Sequence, residues 1–293
     1  MAKCLVTGHK GYIGAKLYKN LKDLGHEVIG IDLQDGHDIL KVLKEDSDGK
    51  FHPHYFNFQP EYIFHMACWP RIGLCIEKPV ETSQNNILAT SVVLNFAKKC
   101  KSVKRVVYSS SSSVVGNGQG PTNPYALQKY TSELETQIYS QIYDLDTVCL
   151  RYFNVYSEDQ RADGPYATAV ANWMKYVKEG RVPFITGNGE QRRDMVHVED
   201  VVSANIFCMN YKKKLNGQVF DVGTGSNISL NEIKEIVQKF NDVEFQYTEP
   251  RPGEVDSTKA NISAFQRVGW THKIPIKKGI ERCFNKGEKN EII

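Results

Sequence analysis

Residues 3–32, KCLVTGHKGYIGAKLYKNLKDLGHEVIGID, decide the fold. Lys3–Thr7 reads as a short buried strand, and Gly8-His9-Lys10-Gly11-Tyr12-Ile13-Gly14 follows at once. Ala15–Leu24 carries apolar residues at helical spacing (Leu17, Leu21, Leu24), and Glu27–Ile31 reads as a second strand that ends at Asp32. Glycines let the backbone turn tightly and approach a pyrophosphate, which sits on the positive end of the helix that follows. Asp32 lies 18 residues after Gly14, where a carboxylate accepts hydrogen bonds from an adenosine ribose. Strand, glycines, helix, strand and acid in this order describe a dinucleotide-binding unit; a glycine triplet alone would not.

Outward from this unit the same alternation continues. Tyr62–Met66, Arg105–Ser109 and Thr147–Tyr152 read as strands, and Tyr12–Leu24, Val80–Lys99 and Pro124–Tyr143 as helices. Such a pattern predicts an α/β fold, a Rossmann-type doubly wound parallel sheet with ligands at the carboxyl ends of its strands. After about residue 152 the pattern loosens. Helical Ala167–Glu179, Glu199–Tyr211 and Leu230–Phe240 alternate with strands near Pro183–Thr186, Gln218–Val222 and Val243–Tyr247. We expect a dinucleotide-binding domain over 1–154, completed by about 190–222. A smaller interleaved C-terminal α/β lobe takes 155–189 and 223–293.

The bulk properties narrow the classes. The chain has 293 residues and a net charge of +3, which does not indicate nucleic acid. Lys212–Lys214 and Lys98–Arg105 are short enough to be solvated faces. There is no apolar stretch of membrane length and no signal-peptide pattern, so no membrane and a cytoplasmic location are expected. The seven cysteines are scattered without a CxxC and read as reduced thiols, not as a disulfide framework or a zinc site. His52 and His54 are read as strand residues without an accompanying acid or cysteine, so no metal is expected.

A second informative stretch is 106–130, VVYSSSSSVVGNGQGPTNPYALQKY, an apolar run ending in serines and followed by Tyr125 and Lys129. Four residues make one helical turn, so the two side chains share a face if that segment is helical. An ammonium held beside a phenol favours the phenolate, which makes the pair a candidate proton shuttle near neutral pH.

These motifs together resemble the extended short-chain dehydrogenase/reductase superfamily, in particular its sugar-nucleotide epimerase/dehydratase branch, over nearly the whole chain. The resemblance implies a cofactor loop at Gly8, Gly11, Tyr12, Ile13 and Gly14, a ribose acid at Asp32, and an adenine-flanking pair at Asp38 and Ile39. It places His65-Met66-Ala67 under the nicotinamide half of NAD and Asn86 in a cofactor motif that usually has Gly where Ala89 stands. Ser109–Ser111 is similar to the end of the catalytic strand, with Ser109 beside the cofactor and Ser111 at the place of the catalytic serine or threonine. Tyr125 and Lys129 are then the catalytic pair, and both also meet the cofactor. Arg151–Tyr156 resembles the segment that turns toward the sugar nucleotide, with Tyr152 on the cofactor side and Asn154 on the substrate side. Gly187–Asp194, containing Arg193, resembles the diphosphate-binding strand, and Arg251-Pro252-Gly253-Glu254 a second clamp on the nucleotide. A guanidinium suits that task because it meets phosphate oxygens in a bidentate fork.

What the resemblance implies chemically is oxidation of a sugar hydroxyl of a UDP-sugar, with Ser111 and Tyr125 at the reacting oxygen. Dehydratases of this branch carry an Asp-Glu pair just after the catalytic serine or threonine, whereas Ser112 and Ser113 stand here. Return of the hydride to the other face, a 4-epimerisation, is therefore the expected outcome. The position expected to gate the sugar's 2-substituent is Thr258, which is small and should admit an N-acetylhexosamine as well as glucose or galactose. A UDP-glucuronate 4-epimerase is the alternative. An NADPH-dependent reductase is disfavoured by the carboxylate of Asp32, and a non-catalytic dinucleotide sensor by the intact Ser–Tyr–Lys set. The resemblance also implies a homodimer through Val80–Lys99 and Pro124–Tyr143. Two segments are shorter than the family pattern, Asp32 to His65 and Gly116 to Tyr125. Both should leave the cleft more open or dependent on a neighbouring subunit.

Overall fold

A computed structural model of the chain describes residues 1–162, 168–250 and 255–285. From the N-terminus the elements are β1 (Lys3–Thr7), α1 (Tyr12–Asp23), β2 (Glu27–Ile31), α2 (Ile39–Val42), α3 (Pro53–Phe58), β3 (Tyr62–His65), α4 (Ile72–Glu77) and α5 (Pro79–Ser83). A π-helical turn at Gln84–Leu88 leads into α6 (Ala89–Lys99), β4 (Arg105–Ser111), α7 (Pro124–Tyr143) and β5 (Thr147–Tyr152). Next come β6 (Val155–Tyr156), α8 (Ala169–Lys178), β7 (Phe184–Thr186), β8 (Arg192–Arg193), β9 (Val196–His197) and α9 (Val198–Asn210). The last are β10 (Gln218–Val222), β11 (Ile228–Ser229), α10 (Leu230–Phe240), β12 (Gln246–Thr248), α11 (Ser263–Val268) and α12 (Ile276–Phe284).

Contacts divide the chain into two units, Met1–Arg151 with Val202–Phe220, and Tyr152–Val201 with the residues from Asp221 onward. The segment returning to the first unit is shorter than the expected 190–222. The reason lies in strand pairing: Arg193 pairs with Ile228 and Val196 with Val155, so this stretch stays in the second unit.

In the first unit a six-stranded sheet has the order β10-β5-β4-β3-β1-β2. Strand β1 runs parallel to both β2 and β3, and β3 parallel to β4. This is the Rossmann-like, doubly wound arrangement. All seven residues of β4 are buried, as a parallel strand covered on both faces requires. Leu5, Ile31, Ile63, Val93, Phe96 and Val106 form part of the core. In the short connection from β2 to β3, Tyr55 joins this core, and the Phe51 and Phe56 rings stack at 5.2 Å with Phe51 edge-on to Phe96. Buried Arg105 fixes the returning segment. Its Nε donates to Asp146 Oδ2 at 2.6 Å, and its terminal nitrogens donate to the carbonyls of Cys208, Tyr211 and Lys213. Asp146 Oδ1 in turn accepts from the amides of Leu215 and Asn216.

Several sequence expectations change, β4 among them, which runs to Ser111 and not Ser109. The helix expected over 80–99 is α5, a π turn and α6. The strand expected over 62–66 ends at His65. His52 and His54 do not lie on a strand: Pro53 starts α3, with His52 as its N-cap.

Among its described residues the second unit has three two-stranded pairs, β6 parallel to β9, β7 parallel to β12, and β8 antiparallel to β11. Its core gathers Tyr156, Trp173, Ile185, Ile233, Ile280 and Phe284. A reciprocal Ser229–Glu232 capping box starts α10. Among the described residues no helix is long and apolar enough to cross a membrane.

Candidate active site

The glycine loop is built by close approach. Gly8 has φ +70°, and a Cβ there would lie 2.7 Å from the Ala67 nitrogen. A Cβ at Gly14 would lie 2.0 Å from the Gly8 oxygen. Only glycine fits either place; the first fit brings the β1–α1 loop against the residues after β3, and the second packs the start of α1 on the loop itself. Tyr12, Ile13 and Gly14 form the first turn of α1, whose N-cap, Gly11, supplies no side-chain acceptor. A helix start of this kind suits a pyrophosphate. Beside it is a cavity of about 270 Å³ whose lining includes Gly8, Gly11, Asp32, Ile39, Met66 and Ala67.

Asp32 is held from two sides. Its Oδ2 accepts from the Lys10 amide at 3.0 Å and its Oδ1 from the Gln34 amide at 2.9 Å. Asp38 caps α2 by accepting from the Leu40 amide and also lines the cavity. Cavity shape, glycine loop and oriented carboxylate all suit a nicotinamide dinucleotide. Asn86 is placed differently. It is buried in the π turn, with its amide bonded to both the N–H and the C=O of Trp69 and to Gln128 Oε1, and its neighbour Asn85 lines the cavity.

His65, the last residue of β3, is fully enclosed. Thr90 donates to the Asn86 carbonyl, so its oxygen accepts from His65 Nε2, and the Thr7 hydroxyl serves His65 Nδ1 at 2.7 Å. Burial, aided by the Lys129 charge, pushes this imidazole down to about 3, so it is neutral.

The serines that end β4 each have a separate partner. Ser109 Oγ donates to the His65 carbonyl, Ser110 Oγ to Glu133 Oε2 at 2.6 Å, and Ser111 Oγ to Ser113 Oγ at 3.1 Å. Glu133 also receives a two-pronged contact from Arg151. Helix α7 begins with Asn123 as side-chain cap and Pro124 in its first turn. Tyr125, Lys129, Ser132, Glu133 and Thr136 then fall on its buried face, so the i, i+4 expectation for Tyr125 and Lys129 holds.

The two side chains have different surroundings. Lys129 Nζ donates to the Ser109 carbonyl at 2.5 Å and lies 5.0 Å from the centre of the Tyr108 ring. Burial raises the Tyr125 phenol well above its ordinary value, the neighbouring Cys68 sulfur adds to the rise, and a hydrogen bond with Ser111 opposes it. The loss of solvent outweighs the Ser111 bond, so the phenol is held in its neutral form.

In the second unit a cavity of about 200 Å³ is lined by Asn154 and Arg193, together with Trp173, Asn172, Thr168 and Leu230 among others. Asn154, at φ +37°, donates from Nδ2 to the Asp194 carbonyl at 2.6 Å. Thr258 Oγ1 accepts from the Asp194 amide at 3.3 Å and weakly from Asn154. The Asp194 carboxylate is buried and receives the amides of Thr224, Gly225 and Ala260, tying three segments together around Thr258. Tyr152 is buried at the end of β5. Arg251 and Glu254 lie outside the described residues. The sequence reading missed Leu33, Gln34, His37 and Trp69 in the first cavity and Trp173 in the second. The first three lie within five residues of Asp32 and were findable as its neighbours; Trp173 carried only the pattern of a core helix.

Known proteins resemble the chain along nearly its whole length. A UDP-glucose 4-epimerase of Mycolicibacterium smegmatis is 30% identical over 306 residues, covering 96% of each chain. The solved UDP-N-acetylglucosamine 4-epimerase from Methanobrevibacter ruminantium M1 in complex with UDP-N-acetylmuramic acid matches with a TM-score of 0.85 at 26% identity, covering 97% of each chain. UDP-glucuronic acid 4-epimerase from Bacillus cereus in complex with UDP-glucuronic acid and NAD matches with a TM-score of 0.81 at 26% identity, over 96% of this chain and 98% of that one. The sequence pattern of the NAD dependent epimerase/dehydratase family matches residues 4–223, from the first strand of the sheet through its last. A single match that takes in the glycine loop, the serine end of β4 and the buried face of α7 leaves one conclusion: the chain belongs to the NAD dependent epimerase/dehydratase family.

Proposed function

We propose that the protein is an NAD-dependent 4-epimerase of a UDP-sugar, with the catalytic set Ser111, Tyr125 and Lys129. The observation that carries the reading is the convergence of these side chains at the carboxyl end of β4, with serines where an eliminating enzyme needs carboxylates. Ser112 and Ser113 sit in a single 3₁₀ turn after Ser111, and a hydroxyl there titrates too high to remove or supply the proton of an elimination.

Bound NAD would supply a positively charged ring that favours the phenolate and a place for the carbon-4 hydride to be held and returned. Tyr125 accepts the proton of the sugar 4-hydroxyl and gives it back after the keto sugar has turned over. Ser111, already hydrogen-bonded to the phenol, holds the reacting oxygen. Lys129 is fixed by the Ser109 carbonyl and orients the ribose next to it. The Asn154–Arg193 cavity fits the nucleotide end of the substrate, with Arg251 and Glu254 as further contacts.

Small Thr258 favours a UDP-N-acetylhexosamine, with UDP-glucose/galactose also admitted. UDP-glucuronate is the second reading, supported by the likeness to the Bacillus cereus enzyme. The partly exposed apolar side chains along α7, Leu127, Leu134, Ile138 and Ile142, support a homodimer.

Proton NMR of the protein incubated with UDP-N-acetylglucosamine, UDP-glucose and UDP-glucuronate in turn tests the activity. Interconversion to the axial 4-hydroxyl sugar is expected for the first and establishes which sugar is used. A 4-keto-6-deoxy product, or three unchanged sugars after NAD is added, would reject the assignment.

A further inference from the structure

We propose that Asp35 is a second determinant of cofactor choice: it holds both basic side chains of the glycine loop and so denies them to a ribose 2′-phosphate. The inference rests on the dinucleotide reading above and goes beyond the role given to Asp32.

The loop Gly8–Gly14 has two side chains that can carry positive charge, His9 and Lys10. Both turn to the same carboxylate. His9 Nε2 lies 3.0 Å from Asp35 Oδ2, and Lys10 Nζ pairs with Asp35 Oδ1. Asp35 follows β2 in a 3₁₀ turn whose cap is Asp32, and its amide donates to the Asp32 carbonyl. Successive turns of backbone therefore present two carboxylates to one loop, Asp32 to the Lys10 amide and Asp35 to the Lys10 and His9 side chains.

Packing fixes His9 in this arrangement. A Cβ at Gly30 would lie 2.3 Å from the His9 ring, so glycine at that position of β2 makes room for the imidazole. His9 Nδ1 is buried and has no hydrogen-bond partner among the described residues, so Asp35 is the group that holds its polar edge. His37, on the cavity wall, is bonded to the Tyr55 hydroxyl at 2.7 Å.

A ribose 2′-phosphate brings a charge of about −1.5 to −2 and needs cations with free donors. Lys10, whose amide donates to the Asp32 carboxylate, is the candidate, and 43% of its side chain is exposed, so reach is not its limitation. Its charge is already matched by Asp35. Selectivity for NAD then has two parts, repulsion by Asp32 and occupation of Lys10 and His9 by Asp35.

The test is dinucleotide binding by protein stripped of cofactor, followed with NAD and NADP through fluorescence of Trp69, which lines the cavity. Asp35→Asn keeps the shape and removes the charge. It should shift the NADP-to-NAD affinity ratio toward NADP by about tenfold or more, the range of one charge-assisted hydrogen bond. Adding Lys10→Met to that variant should abolish the gain. Lys10→Met alone, a change at an exposed position that serves even if Asp35→Asn fails to fold, should leave the ratio of the parent protein within about twofold. An unchanged ratio in Asp35→Asn, or a tenfold loss of NADP binding in Lys10→Met alone, would overturn the inference while leaving the NAD assignment intact. A parent protein that binds neither dinucleotide would overturn both.

Discussion

Tyr125→Phe removes one oxygen and keeps the ring in its buried slot. Turnover should fall on the order of 10²–10⁴-fold with NAD affinity nearly unchanged, because the proton acceptor is lost and the packing is not. Kinetics beside a binding titration checks this, and retained turnover would remove Tyr125 from the mechanism. Thr258→Tyr should lower activity on an N-acetylated sugar relative to UDP-glucose by at least about tenfold; an unchanged ratio in paired assays would show that Thr258 does not gate the pocket. His65 offers a test through pH. Its folded-state value of about 3 lies below the ordinary 6.5, so its contribution to stability is complete above pH 6.5 and is lost as pH falls toward 3. The slope is at most about 1.4 kcal/mol per pH unit, and His65→Gln should flatten it in urea titrations from pH 7 to 4. A slope equal in both proteins would mean that other groups govern the acid limb. Residue identities in the glycine loop were legible because strand, turn and helix are local patterns. Where Lys129 points was not, because its partner is a backbone carbonyl twenty residues earlier in the chain, brought near only by the sheet.

At the scale of elements, α7 came out with its expected limits because its cap, its proline and its apolar spacing are all written locally. The interruption of 80–99 by a π turn was not legible, since one shifted hydrogen bond changes the face but not the composition. That shift has a use: it gives the buried Asn86 its hold on Trp69. Helix α7 itself has two faces. One buries Tyr125, Lys129 and Glu133, and the other leaves Leu134 41% and Ile138 46% exposed. If that second face joins two copies, Ile138→Glu should convert a dimer to a monomer in light scattering while moving the melting temperature little, since the side chain is not in the unit's core. A parent protein already monomeric at micromolar concentration would remove the dimer from the account.

For the molecule as a whole, the doubly wound order was legible from alternation alone, whereas the boundaries of the two units were not. They depend on which two-residue strands pair, and a pair such as Val155–Val196 leaves almost no trace in composition. The link between β4 and the returning segment was equally hidden, because Arg105 and its carbonyl acceptors stand more than a hundred residues apart. Arg105→Met leaves Asp146 buried without its ionic partner and should cost roughly 3–5 kcal/mol in urea denaturation; a loss below about 1 kcal/mol would show that the pair does not secure the segment. The same arrangement sets a schedule for synthesis. Strand β5 is finished at Tyr152, and the edge strand that covers it starts at Gln218. At ordinary ribosome speeds that gap lasts on the order of 3–13 s. For most of it the nascent sheet exposes the unpaired backbone N–H and C=O groups of β5, and Arg105, paired with Asp146, lacks its three carbonyl acceptors. For this chain the hazardous interval for aggregation is therefore a stage of translation, the one at which a chaperone has the most to protect.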